Sequence, residues 1–573
     1  MGKFLLGVLV GVVVVVLGVL IIGLALVKIF SNKSPTIAGN SVLVLSLEGQ
    51  LPEAAPVEIP IPYLQSHAMP ALGDVWTALR AAAKDNRIKA IVLAPHGLGA
   101  GWGKLEELHD ELLQFKKSGK PVYAYLQGAG SREYYLASVA DKIYMSPDDM
   151  LEVKGFRLET MFLKNTLDKL GVTVQVDHIG RYKDAGDTFT RTGMTPETRE
   201  VLNQVLDQVY GDFCTTVALG RHKSGDDIRA LVDQGPFMAP QAKSGGLIDQ
   251  LGYEDQVYAD LKKKTGSELK KLDIRTYVRA VPAKGDHIAM IVGQGDIVRG
   301  DADNSYDSTQ LLTSGVIKRT IRQVRDDSNV KGVILRVDSP GGDAVASDEI
   351  LHELKLLSDV KPLVISFSDV AASGGYFISM TGDTILSYPN TLTGSIGVLY
   401  VRPNFRGLYD KLGIEEDMIT RGKMADIDSL YQPLSDAGRQ KLHEAIQSTY
   451  QSFVGKVAAA RRKSYDQIDP LAQGRVWMGQ QARENGLVDE LGGLDRAVAL
   501  IRQKAKLAAD GATNLIIYPP KRSLLELLTS SSPDSVADAA AENKIRKLLP
   551  MLPSSSLLRG GLLRTMPYRV VVQ

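Results

Sequence analysis

The sequence predicts an α/β protein made of two copies of one domain, each with an open, mostly parallel sheet, behind one N-terminal transmembrane helix. Three observations carry this. Shifted by 240–242 residues, the chain aligns with itself: NRIKAIVLAPHG (86–97) on NVKGVILRVDSPGG (329–342), Asp141 and Pro147 on Asp383 and Pro389, QAKSGGLIDQLG (241–252) on QARENGLVDELG (481–492). A collinear series of that length marks a duplicated domain, and its period is far too long for a solenoid. Within each copy, short β-branched runs alternate with helical periodicity, the pattern of a parallel sheet with right-handed crossovers. Ahead of both copies, Phe4 to Val27 is a 24-residue run without a charge.

At about 1.5 Å per residue, that run suits a tilted crossing of a ~30 Å hydrocarbon core. It is too long for a cleaved signal peptide and lacks a small-x-small cleavage site, so residues 1–35 read as an uncleaved anchor. Lys3 on one side and Lys28 and Lys33 on the other leave its orientation open. Residues 36–275 make the first domain, opening on the strand SVLVLSLEG and a Pro-rich loop, PEAAPVEIPIP. IKAIVLA, KPVYAYL and DKIYMS are its next strands, and the helix TALRAAAKDN precedes the first of them. Residues 266–285 join the halves. Residues 276–508 repeat the plan with the helix IKRTIRQVRDD and the strands VKGVILRV, KPLVISF and DTILSY. Residues 509–573 change character. Their later charges are basic (Lys544, Arg546, Lys547, Arg559, Arg564, Arg569), which suits either broken amphipathic pieces on an anionic membrane surface or a poorly ordered tail.

Composition excludes several classes of function. With 67 basic and 66 acidic residues the net charge is +1, so no basic surplus points to nucleic acid. Cys214 is the only cysteine, which rules out an intramolecular disulfide and a Cys-based metal cluster. The eight histidines lack H-x-x-x-H or H-x-E spacing, so no metal site is expected.

The chemistry concentrates at two strand ends of the second half. VILRV runs into Asp338-Ser339-Pro340-Gly341-Gly342, where two glycines permit a tight turn with outward-facing N–H groups. KPLVISF runs into Ala371-Ala372-Ser373-Gly374-Gly375, a serine among small residues at a strand-to-helix turn. Such a serine is either an exposed nucleophile or a helix N-cap. As a nucleophile, it would have the amides of Gly374 and of the Gly341–Gly342 turn as a two-donor oxyanion hole. No histidine stands in a triad-like context, since His352 and His443 sit in charged helical patterns. A buried lysine can serve as base if desolvation supplies the roughly 3–5 kcal/mol that brings its pKa from ~10.4 to 7–8.

The runs DSPGG, AASGGYFIS and TLTGSIGV, with GRYKDAGDTF in the first half, resemble the S49 serine peptidases in their long, membrane-anchored, duplicated form, over about residues 1–508. The resemblance implies tandem Clp-protease/crotonase-like domains (the β-β-α superhelix) and a Ser–Lys dyad that needs no cofactor. By it, Ser373 is the nucleophile, Lys183 the general base and Ser395 the residue that orients the lysine amine. Gly341, Gly342 and Gly374 supply the oxyanion donors. It further implies a serine endopeptidase of hydrophobic peptides, chiefly cleaved signal peptides. The setting would be the inner (cytoplasmic) membrane of a bacterium, with a homotetramer held to lipid by single-pass helices and catalytic domains in the periplasm.

The duplication tests this division of labour. Ser373 falls on Ser131, but Arg132 and Glu133 replace the glycines that should follow; Lys183 falls on Ala425 or Met424. Each half keeps one member of the dyad, so the site should form across the halves. Lys423 stands as a rival base and Ser131 as a vestigial nucleophile. Rival readings of the whole are an acyl-CoA enzyme on the same fold, a non-catalytic membrane scaffold and a broader quality-control protease.

Overall fold

The computed structural model describes residues 35–54, 69–282, 284–300, 311–520, 561–566 and 572, with scattered positions between Gly2 and Gly18. The sequence-predicted span 4–27 lies almost wholly outside them. Among the described residues no helix is long and apolar enough to cross a membrane.

The first half folds around a six-stranded, all-parallel sheet. Its strands are β1 (Ser41–Gly49), β2 (Ile88–Leu98), β3 (Val122–Leu126), β4 (Lys142–Met145), β8 (Gln250–Leu251) and β9 (Lys270–Asp273), in the order β8-β4-β3-β2-β1-β9. Helices α1 (Leu72–Lys84), α2 (Trp102–Lys116) and α3 (Ser131–Ala137) alternate with them, and a short ribbon pairs β5 (Met150–Leu151) with β7 (Phe237–Met238). The joint between the halves is more structured than its sequence suggests. It supplies β9, which closes the edge beside β1.

The second half repeats the sheet with β10 (Asp286–Gln294), β13 (Val330–Ser339), β15 (Leu363–Ala372), β16 (Thr384–Ser387), β20 (Glu490–Leu491) and β21 (Thr513–Tyr518), all in parallel pairs. β17 (Leu392–Gly394) also pairs in parallel with β15, and β19 (Val476–Met478) adds antiparallel to β17. The sequence boundary at 508 therefore falls short, because β21 lies beyond it on the outer edge of this sheet. Apolar runs such as Val333–Leu335 are buried on both faces, as expected where helices cover both sides of a parallel sheet. Each half has a main core, and that of the first extends to Ala372, Leu392, Val476 and Met478 of the second. A third cluster joins them, where Trp76 of α1 meets Met290, Ile334, Val364 and Leu494.

A third sheet crosses the halves. Its order is β12 (Leu311–Thr313), β11 (Asp296–Val298), β14 (Gly341–Asp343), β22 (Gly561–Thr565), β18 (Val398–Asn404) and β6 (Thr173–Ile179). β6 comes from the first half and runs antiparallel to β18, with Val398 opposite Ile179 and Asn404 opposite Thr173. β22 comes from the tail, so residues 561–565 form a strand within the fold and no amphipathic membrane segment. The other tail residues 521–560 lie outside the described ones.

Candidate active site

Ser373 sits where β15 gives way to the short helix α4 (Gly374–Ile378), with φ 53° and ψ −110°. A non-glycine residue with positive φ is strained, and such strain is held at sites where the surroundings over-determine it. Here the Ser373 N–H donates to Gly394 O at 2.8 Å and its carbonyl accepts from Phe377 N–H at 2.8 Å. The small neighbours are a packing requirement: a Cβ on Gly375 would stand 2.5 Å from Ser339 O.

Lys183 arrives from the first half by way of β6. The β6–β18 register brings the segment after Ile179 beside the segment before Val398, which holds Ser395. Tyr182 N–H donates to Gln473 O at 2.8 Å, fixing the approach. Gly474 is pressed on the lysine so closely that a Cβ there would come 2.6 Å from Lys183 Cβ. Lys183 Nζ then lies 2.9 Å from Ser373 Oγ, 2.9 Å from Ser395 Oγ and 2.9 Å from Ser395 O. All three residues are 0% exposed, so this amine is held away from bulk water.

The predicted oxyanion donors are placed unequally. Gly374 is the first residue of α4, where an amide has no intrahelical acceptor. Gly341 N–H is already taken: it donates to Ser339 Oγ at 3.2 Å, and that hydroxyl donates to Gly295 O at 2.6 Å. Gly341 is therefore a turn-former in this geometry, its amide spent on Ser339. Gly342 has φ 153° and abuts β11, where a Cβ would meet Ile297 O at 2.1 Å.

The sequence pattern of Peptidase family S49 matches residues 114–268 and again 355–508, one match per half. The chain is 34% identical over 502 residues to the chloroplastic serine protease SPPA of Arabidopsis thaliana, covering 86% of this chain and 73% of that one. It is 32% identical over 528 residues to Protease 4 of Haemophilus influenzae (87% and 85% covered) and 34% over 496 residues to Protease 4 of Salmonella typhi (84% and 79%). The chain belongs to peptidase family S49. It is accordingly a serine protease, and the duplication seen in the sequence is the family pattern met twice.

Behind this S49 site lies a charged layer that sequence reasoning missed. Lys104 of α2 reaches across from the first half to Asp338 at 2.6 Å and Asp369 at 3.4 Å. Asp369 also accepts from the amides of Gly101 (2.9 Å) and Lys104 (2.8 Å). Burial opposes the Lys104 charge, but the carboxylates of Asp338, Asp369 and Glu53 outweigh it and hold its pKa above the lysine norm. Burial raises the pKa of Asp338 itself; Lys104 opposes this, and the like charges of Asp369 and Glu53 add to it. Next to them, the buried Arg336 guanidinium bonds Glu53 at 3.0 Å and also Glu107. The signal available was the pair of acidic residues flanking the glycine turns, each needing a counter-ion that the motifs do not contain. Beside the lysine, burial pushes Asp184 up to about 7; Asp187 adds to this and Lys183 opposes it. Its Oδ2 accepts from Thr198 Oγ1, and Oδ1 is buried without a hydrogen-bond partner among the described residues.

The first half shows what became of its own copy. Ser131 begins α3 with no positive φ, and the Glu133 carboxylate accepts from Leu98 N–H at 2.7 Å and Gly130 N–H at 2.9 Å. A side-chain carboxylate thus occupies the donors of the first-half turn. Lys423 is exposed and has no hydrogen bond to the dyad, as are His352 and His443, the latter bonded to Asp177 at 3.0 Å. Cys214 is buried, and among the described residues no His/Cys/Asp/Glu group could hold a metal.

Proposed function

We propose that this S49 protein is a membrane-anchored serine endopeptidase working through a Ser373–Lys183 dyad on hydrophobic peptides, chiefly cleaved signal peptides. The observation that carries the reading is the 2.9 Å approach of Lys183 Nζ to Ser373 Oγ, with Ser395 holding the same amine. A neutral amine has two N–H groups and one lone pair. Ser395 O and Oγ suit the two donors, which leaves the lone pair for the Ser373 hydroxyl. Complete burial disfavours the ammonium form and so supports a lysine that starts neutral.

In the reaction, Ser373 Oγ attacks the peptide carbonyl as its proton passes to Lys183 Nζ. The oxyanion forms against the amides of Gly342 and Gly374. Lys183 gives the proton to the departing amine, then takes one from the water that hydrolyses the ester. The 4–27 run anchors the catalytic halves beside the membrane in which signal peptides remain, on the periplasmic side of a bacterial inner membrane, and a homotetramer limits access to unfolded chains. The halves correspond to 36–275 and 276–508, a pair of Clp-protease/crotonase-like folds, with β21 added to the second beyond residue 508.

The test is turnover of a quenched, signal-peptide-like substrate in detergent. Ser373→Ala and Lys183→Ala should both be inactive and Lys423→Ala active, with fluorophosphonate labelling lost in Ser373→Ala. Turnover that survives Lys183→Ala and disappears in Lys423→Ala would refute the cross-half dyad.

A further inference from the structure

Lys183 and Ser395 come from different halves, and one residue holds the chain at both of them. Arg475 lies in the turn Gln473-Gly474-Arg475 that leads into β19. Its carbonyl accepts from Ser395 N–H at 2.7 Å, and Ser395 is the residue whose hydroxyl bonds the lysine amine. Its guanidinium crosses to the first half, where Nη1 donates to the Tyr182 hydroxyl at 2.9 Å, one residue before Lys183. Nη2 donates to Gln204 at 2.9 Å and pairs with Glu200 at 2.9 Å, two residues one turn apart on the long helix Pro196–Arg221.

The guanidinium is boxed as well as bonded. Its centre lies 4.8 Å from the centroid of the Tyr182 ring and 4.6 Å from that of Trp477, within the range at which an aromatic face holds a cation. Trp477 is itself fixed, its Nε1 donating to Leu471 O at 2.8 Å. The arginine side chain is 13% exposed, so these contacts form largely out of water. A planar fork presents its donors in set directions there, which a flexible lysine ammonium does not. The same turn also takes the Tyr182 N–H on Gln473 O, so ring and main chain of Tyr182 are gripped together. The domain repeat sets this turn apart. The pairing of Leu392 with Met478 in the second half corresponds to that of Met150 with Met238 in the first. The turn before it reads Gln234-Gly235-Pro236-Phe237 in the first half and Gln473-Gly474-Arg475-Val476-Trp477 in the second. The first-half version is one residue shorter and has no cation, and the opposite copy offers it Ala425 or Met424 in place of a lysine. The arginine stands in the copy of the turn that meets Lys183.

We propose that Arg475 is a positioning residue for the reaction, a clamp that fixes the arm carrying Lys183 against the residue that orients its amine. This rests on the Ser373–Lys183 dyad proposed above, and Arg475 acts on it through Tyr182 and Ser395. Without the guanidinium, Tyr182 keeps its main-chain bond to Gln473, so the arm stays docked while its ring is free to shift. A displaced base leaves peptide binding as it was and burdens proton transfer, where a misplacement of about 1 Å costs about 100-fold. The loss therefore falls on kcat and spares KM.

The experiment uses the full chain in detergent, with a quenched, signal-peptide-like substrate and a fluorophosphonate. Arg475→Met should lower kcat and the rate of Ser373 labelling together, by about 10- to 100-fold, with KM held within about twofold. Labelling should still run to completion, which counts the sites as assembled. Arg475→Lys keeps a cation for Glu200 and should recover the parent's urea midpoint without recovering its kcat. Tyr182→Phe should lower kcat roughly 3- to 10-fold in the parent and have no further effect in Arg475→Met, where the hydroxyl has already lost its partner. Should Arg475→Met not fold, Arg475→Lys and Tyr182→Phe complete the same cycle. Unchanged kcat in the Arg475 variants, additive losses from Tyr182 and Arg475, or a fall in kcat that only tracks the fraction labelled at completion would each overturn the proposal. The last result, with kcat and midpoint restored together by Arg475→Lys, would make Arg475 a tie between the halves and no more. Parent-like turnover in Lys183→Ala would refute the dyad and the clamp with it. An inactive Lys183→Ala beside any of the other adverse results would refute the clamp alone.

Discussion

Ser395→Ala isolates the orienting role most cleanly. The side chain is buried and lies 2.9 Å from Lys183 Nζ, and the lysine's other bond to this residue goes to its carbonyl, which the substitution keeps. Removing one acceptor from a buried amine costs about 1–3 kcal/mol. Lowered by that amount, transition-state stabilisation falls roughly 5- to 150-fold in kcat/KM. The loss should lie in kcat, because Ser395 acts through the lysine and not on the peptide. Ser395 has φ 50°, so the paired variant is Ser395→Gly, which removes the same oxygen and relieves the backbone. Agreement between the two variants assigns the loss to the hydroxyl. The assay is steady-state hydrolysis across pH, with fluorophosphonate labelling to count competent Ser373. If both variants keep kcat/KM within twofold of the parent, the hydroxyl does not orient the amine and the reasoning is wrong.

Asp184, raised to about 7 by burial, becomes an anion beside Lys183 above that pH and there favours the ammonium form. Asp184→Asn should therefore move the rising limb of kcat/KM to lower pH, the two profiles parting only above about pH 7. Glu111 is pushed up to about 8, first by burial and then by Asp495, against the opposing charge of Arg80. Between about pH 4.5 and 8 the folded state holds a proton the unfolded chain has released, so stability falls as pH rises through that window. Glu111→Gln should remove up to about 4 kcal/mol of that fall, read by urea unfolding at pH 5 and 8.5. Lys104→Met strands Asp338 and Asp369 as uncompensated buried carboxylates and should destabilise by about 3–5 kcal/mol, measured as a lowered unfolding midpoint.

Much of this was legible in the chain. The β-branched runs at 88–98 and 330–339 fell on buried parallel strands because alternation of strand and helix leaves such runs one place to go. The small residues around Ser373 marked a turn, and the losses of glycine after Ser131 and of lysine near Ala425 indicated a site shared between halves. Lys183 itself had no local signal and came from the family likeness. The pairing that delivers it is a ladder between Thr173–Ile179 and Val398–Asn404, and a half-buried strand with a partner far along the chain shows no periodicity naming that partner. The same limit hid Lys104, whose role exists only once two acidic strand ends from the other half stand over it. Gly341 illustrates a finer loss: the motif reveals a turn, but which of two adjacent amides is spent on Ser339 depends on geometry. Glu133 was visible as a missing glycine, though its carboxylate as a plug for the old turn was not.

The ladder between β6 and β18 changes the kinetics of becoming active. Lysine and serine lie 190 positions apart on one chain, so their meeting is a first-order event, indifferent to dilution. Two identical single-copy subunits would have to find each other for the same contact, and would gain two sites by doing so. On the proposed dyad, this chain gives up the second site and in return ripens at a rate fixed by its own folding. The half that carries Lys183 is synthesised first, and on that proposal Ser373 has no base until the ladder closes. A chain halted anywhere before Asn404 should then be inert toward the nascent polypeptides around it.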